Sequence, residues 1–161
     1  MNLRTLRLTA VSMLAALTFI AACTEKDAYV EAQDPAIARQ IVDQYARVTL
    51  AATGQDKFSQ GGIASMPCEG RQGELSDRIY TMYGVYQLLV PADEQLAMLD
   101  RVRDAWKAQG YTITSQRTYP PGARGEVNAT NPKDGALFSL SSGQPPSMSL
   151  SINTKCHRRP A

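Results

Sequence analysis

Apolar and polar residues run along this chain in two rhythms. Ile37, Ile41, Tyr45, Val48 and Ala52 recur at helical spacing behind Asp34-Pro35 and ahead of Gly54. This predicts an amphipathic helix with Asp34 as N-cap, Pro35 in the first turn and the apolar stripe buried. Leu96, Leu99, Val102 and Trp106 repeat the pattern between Asp93 and Gln109. Asp93 is the expected cap, and Gly110 suits a left-handed end. The second rhythm has period two. Met148, Leu150 and Ile152 alternate with Ser147, Ser149, Ser151 and Asn153, which predicts a strand with one buried and one wet face. Cys156 shares the parity of the apolar set and is expected to face inward.

The other segments are strand and turn. Arg78 to Val90 is rich in aromatic and β-branched residues around Gly84, so a strand is preferred to the helix that the spacing of Tyr80, Tyr83 and Tyr86 would also allow. Tyr80, Met82, Tyr86 and Leu88 would share one face, and Ile79, Tyr83, Val85 and Leu89 the other. Tyr111 to Thr114, Gly125 to Asn131 and Ala136 to Ser142 read as further strands. Pro132 and Gly135 predict a hairpin built on a type I turn with a G1 bulge. Gln55 to Gly73 reads as a loop, interrupted by a short strand from Ile63 to Cys68. The fold class expected is α+β: an antiparallel sheet of about four to six strands with two amphipathic helices packed on one face.

The first residues change the picture from a plain domain to an exported one. Arg4 and Arg7 precede an apolar run from Leu8 to Ile20, which is short for a span of about 20 apolar residues. Ile20-Ala21-Ala22-Cys23 then looks like a bacterial lipobox. The expected organisation is a lipoprotein signal peptide over 1–22, a lipid-anchored tether over 23–33 and a single α+β domain over 34–161. The Cys23 thiol would carry the lipid and hold the chain on the outer face of the cell membrane, since two acyl chains suffice for stable anchoring. With Cys23 used, two of the three cysteines remain. Cys68 and Cys156 are expected to form one disulfide.

Charge narrows the partners. Arg4 and Arg7 account for the net charge of +2, so the chain from Cys23 onward is neutral and nucleic acid is not an expected partner. Lys155, His157, Arg158 and Arg159 cluster at the C-terminus, which reads as a solvated end.

Leu88-Leu89-Val90-Pro91-Ala92-Asp93 ahead of a helix, Arg103 to Ile113 across its end, a Ser-rich strand pair and the late Cys156 resemble small secreted lipoproteins of actinobacteria of the LppA-like type. The resemblance covers most of the chain after Cys23. It implies a cell-envelope α+β domain and carries over no catalytic residue.

The chemistry-bearing residues form no familiar constellation. The sequence has no GxSxG, HExxH, P-loop, GxGxxG or CxxC pattern. One histidine cannot complete a zinc set with Cys68 and Cys156, so neither a metal nor a cofactor is expected. His157 reads as a surface residue. Asp100 and Asp104 lie one turn apart but are flanked by Arg101 and Arg103, as on a solvated helix face. Tyr80, Tyr83, Tyr86, Trp106 and Tyr111 are the candidates for lining a ligand site, with the bland alternative that they are core and rim residues. Asn128-Ala129-Thr130 matches a glycosylation sequon to which no role is given.

The expected function is therefore a non-enzymatic, lipid-anchored envelope protein presenting a disulfide-stapled domain to another protein or a ligand. One alternative is a carrier of a lipid or other apolar ligand, held in a cavity lined by Tyr80, Tyr86, Trp106 or Phe138. Another is an envelope hydrolase with spatially assembled carboxylates. If the Ser/Thr-rich sheet binds anything, strand addition at an exposed edge is the physically favoured mode.

Overall fold

The computed structural model describes residues 30–69, 73–120, 122 and 124–161. Cys23, the leader and most of the tether fall outside the described residues. The order of elements is α1 (Pro35–Thr53), β1 (Gln60–Glu69), β2 (Leu75–Leu89), α2 (Gln95–Ala108), β3 (Thr112–Tyr119), β4 (Arg124–Thr130), β5 (Leu137–Ser142), β6 (Ser147–Asn153) and β7 (His157–Arg158). All the ladders between strands are antiparallel. The sheet runs β1-β2-β6-β5-β4-β3, and β7 pairs with the far end of β2. The fold class is as expected; among the described residues the short β7 brings the strand count to seven.

β2 is the preferred strand, with Tyr80, Met82, Tyr86 and Leu88 buried on the helix side. Phe138, Leu140, Met148, Leu150 and Ile152 continue that core across β5 and β6, beneath Leu99, Val102 and Trp106 of α2. Burial of these side chains is the main driving term for the fold. Asp34 caps α1 as expected, its carboxylate accepting the Ala36 N–H at 2.7 Å, and Gly54 ends the helix at φ 74°. Gly110 takes φ 84° after α2.

Five local expectations need correction. The line of α1 that faces the sheet is Ala38, Val42, Ala46, Thr49 and Thr53, one residue, or about 100°, round the helix from the apolar stripe. Tyr45 and Ala52 flank it, and Ile37 is 49% exposed. Close approach decides the phase. A Cβ placed on Gly84 would lie 2.6 Å from Val42 Cγ1, so small residues seat the helix where larger ones could not.

The second correction is at α2, where Glu94 rather than Asp93 is the cap and makes no side-chain capping bond. Gln95 is buried there instead, its Nε2 donating to the carbonyls of Val90 at 3.2 Å and Ser147 at 3.3 Å. The third is β1, which starts at Gln60 inside the presumed loop. Its glycines are not turn residues. Tyr86 lies opposite Gly61, and a Cβ there would meet the Tyr86 ring at 2.5 Å.

Fourth, the C-terminus is part of the sheet. β7 pairs with Ile79 and Tyr80, Gln33 N–H donates to Arg158 O, and Arg158 N–H donates to Glu31 O. The strand phase slips between Thr154 and His157. Thr154 turns its hydroxyl to the Met82 N–H at 3.0 Å, after which Cys156 is exposed and His157 is buried. The 131–135 hairpin has Gly135 at positive φ as expected, but it closes from Gly135 N–H to Asn131 O, giving a loop one residue longer than a type I turn with a G1 bulge.

Candidate functional site

The five aromatic candidates do not converge on one surface. Tyr80 and Trp106 are fully buried, and Phe138 packs between Trp106, Tyr45 and Tyr111 with ring centroids 5.6, 5.2 and 4.8 Å away. Tyr111 is half-buried at the end of this stack. Tyr83 emerges on the helix-free face of the sheet, and Tyr86 floors a groove on the helix side. Tyr80, Trp106 and Phe138 are thus core groups, as the bland alternative has it.

Cys68 and Cys156 form the disulfide, with Cα atoms 6.2 Å apart. It joins the end of β1 to the link between β6 and β7. Asp100 and Asp104 both bind Arg103, at 2.6 and 2.8 Å, and Gln116 of β3 donates to Asp100 at 2.9 Å. Arg103 holds the Asp104 carboxyl below its ordinary range. These acids are tied to a cation rather than poised as a catalytic pair. Among the described residues no group of three or more His, Cys, Asp and Glu could hold a metal. No described helix is long and apolar enough to cross a membrane. Asn128 of the sequon is half-buried, and its Nδ2 donates to Ser115 at 2.8 Å and Glu126 at 3.3 Å.

Two open surfaces border Tyr83 and Tyr86. On the helix-free face, the cross-strand rows are Tyr83-Asn153-Leu137-Thr130 and Val85-Ser151-Ser139-Asn128. They enclose a shallow depression of ≈ 350 Å³ lined only by neutral side chains. Leu137 and Met66 are about half exposed on this sheet. The second surface is a groove of ≈ 650 Å³ between α1 and the edge strand β1. Leu50, Phe58, Ile63 and Tyr86 supply its apolar floor, and Arg39, Asp43 and Arg47 its rim. Phe58 and Tyr86 are stacked with centroids 4.6 Å apart. The Tyr86 hydroxyl is buried with no hydrogen-bond partner, and burial pushes its pKa up.

A polar cluster was missed because Tyr45 reads as one more apolar position of the helix. Its hydroxyl donates to Asp134 Oδ2 and accepts from Asn131 Nδ2. Burial, followed by the Asp134 carboxylate, pushes its pKa well up. This cluster pins the β4–β5 hairpin to α1. The paired turn residues Asn131 and Asp134 were the available signal, but nothing in the local pattern says which tyrosine would reach them.

His157 sits against Tyr80, ring centroids 6.0 Å apart, with its Nδ1 buried and unpartnered. Burial lowers its pKa below the ordinary 6.5, Lys155 lowers it further, and Glu31 and Asp134 act in the opposite sense. The folded chain therefore binds less proton than the unfolded one as pH falls past 6.5. The stabilisation is complete above that value and is lost on acidification towards the folded-state pKa. Unfolding midpoints should fall between about pH 7.5 and pH 5, and His157→Gln should flatten that dependence. An equal slope in the variant would assign the loss to other groups. Lys155 holds Glu31 below its ordinary value, so that carboxylate adds its own loss only at lower pH.

No protein-family model matches this chain, and neither the curated proteins nor the solved structures provide a significant match.

Proposed function

We propose that the chain is a non-enzymatic, lipid-anchored cell-envelope protein of the LppA-like kind that presents its disulfide-stapled domain to a binding partner. The observation that carries the binding reading is the asymmetry of the sheet. Two helices cover one face, while the other leaves a neutral field of Ser, Asn and Thr side chains around Tyr83, with Leu137 53% exposed at its centre. An uncovered sheet face carrying exposed apolar groups is a usual place for a second molecule. The Cys68–Cys156 bond is compatible with an oxidising compartment. The tethered lipid on Cys23 would set the domain at the outer face of the cell membrane.

Of the lining residues of the carrier alternative, Tyr80, Trp106 and Phe138 are packed in the core, and Tyr86 alone borders an open groove. The hydrolase alternative is left with acids already engaged by Arg103.

Two measurements test the proposal. Cys23→Ser should move the protein from the membrane fraction to the soluble exported fraction and abolish lipid incorporation; unchanged membrane association overturns the anchor. A photo-cross-linker at Leu137, used in intact cells, should give an adduct of discrete mass that the same group at Gln44 on the outer side of α1 does not. Equal patterns from both positions would remove the helix-free face as the binding surface.

A further inference from the structure

The sheet path ends in β1 on one side and β3 on the other, and the two edges are finished differently. β3 carries an irregularity between Ile113 and Ser115 and a charge at Arg117, and its Gln116 is held by Arg103 and Asp100 of α2. These features discourage strand addition. β1 has no charged residue from Gln60 to Met66 and no proline before Pro67, where its only register shift lies. Arg159 donates to the Ser65 hydroxyl at 3.2 Å near its far end, and the backbone from Gln60 to Ala64 is a template for strand addition. Behind that edge lies the α1–β1 groove, with Leu50, Phe58, Ile63 and Tyr86 among its lining residues.

Charge singles out the occupant. Exposed Lys57 precedes β1 and exposed Glu69 ends it, at equal sequence distances from Ile63. A second β1 laid antiparallel and centred on Ile63 would bring each Lys57 towards the Glu69 of the other copy. The same register sets Ile63 directly opposite Ile63. Ile63 lies on the helix side, opposite Gly84 in the sheet, so the pair would close both grooves with apolar surface at a Cβ separation of about 4.5–5.5 Å. Such an isologous contact satisfies two-fold symmetry without any new complementary patch.

We infer that β1 is a homodimer interface: two copies join edge to edge through Gln60 to Met66 into one continuous sheet, with the α1–β1 grooves meeting at the two-fold axis. The inference deepens the binding reading above and rests on it, by naming a second copy of this chain as one partner. The two helix-free faces then lie side by side on the same surface.

Ala64 is exposed on β1 and stands opposite Gly62 in this register, so its own symmetry mate is the diagonal neighbour, two residues along. In the full chain Ala64→Cys would supply the free thiol, with Cys68 and Cys156 in their disulfide and Cys23 acylated. A short bifunctional thiol reagent applied to intact cells should give a covalent dimer, at a yield about ten-fold above that of Thr118→Cys on the β3 edge. Lys57→Glu in the same background should cut that yield about ten-fold, and Lys57→Glu with Glu69→Lys should restore it. Monomer alone, equal yield from both edges, or no rescue by the double reversal overturns the dimer. An Ala64→Cys adduct to a chain of another mass overturns it in favour of a different strand donor. In each of these cases the Leu137 adduct still decides the binding reading separately.

Discussion

Serine in place of Cys68 or of Cys156 should each lower the free energy of unfolding by about 4–5 kcal/mol, measured by denaturant titration without reductant. The expectation follows from the separation of 88 residues between the two cysteines: a loop of that length loses a large amount of closure entropy in the unfolded chain when cross-linked. Either substitution removes the same bond, so the two single variants should agree to about 1 kcal/mol and the double variant should add little. Reductant should produce the same shift in the unaltered protein. The bond also has a local task, because it holds the end of β1 against the segment that turns from β6 into β7. Its loss should therefore be felt first at β7 and at residues 31–33, which pair with it. Hydrogen exchange of Arg158 and Gln33 amides reads this directly. Midpoints that do not move on reduction would show that the bond is absent in solution.

Trp106→Ala should be nearly as damaging, at about 3–5 kcal/mol. Trp106 is fully buried, its ring packs on Phe138 at 5.6 Å, and its indole N–H donates to Thr49 Oγ1 at 3.1 Å. It ties α2 at once to α1 and to the sheet. The polar part can be separated from the packing part. Thr49→Val keeps the volume but leaves a buried donor without an acceptor, for an expected cost of about 1–3 kcal/mol. A Thr49→Val variant as stable as the parent would show that the hydrogen bond contributes nothing beyond packing. The double variant Trp106→Phe with Thr49→Val should then cost less than the sum of its parts, since neither partner is left unpaired.

Much of the secondary structure was legible because it depends on local pattern. Ser147 to Asn153 alternates as a half-buried strand must, and it is one. Asp34-Pro35, Gly54 and Gly110 mark helix ends through backbone preferences that no distant contact alters. The disulfide pair followed from counting. What the local pattern misread was phase and edge. The apolar stripe of α1 predicted the wrong line of contact, because the decisive neighbour is Gly84, far away in sequence, whose missing side chain admits Val42 and its small companions. Gln60-Gly61-Gly62 looked like loop for a similar reason: Tyr86 fills the space that a side chain at Gly61 would need. The aromatic candidates fared likewise, since parity on a strand says which residues share a face but not whether a helix covers it.

The sequence by itself determined the α+β class, the two helices, the start of α1 and the glycines that end both, the β6 alternation, the neutral charge of the chain from Cys23 onward and the pairing of Cys68 with Cys156. Only the tertiary structure decided that His157 is inside and Cys156 outside, that the C-terminus closes on residues 31–33, and that β1 is a bare edge beside an open groove. The division has a physical basis. Capping, turns and periodicity act over a few residues, whereas helix phase, burial of a strand end and exposure of a sheet edge are set by close contacts between segments that meet only after the chain has folded.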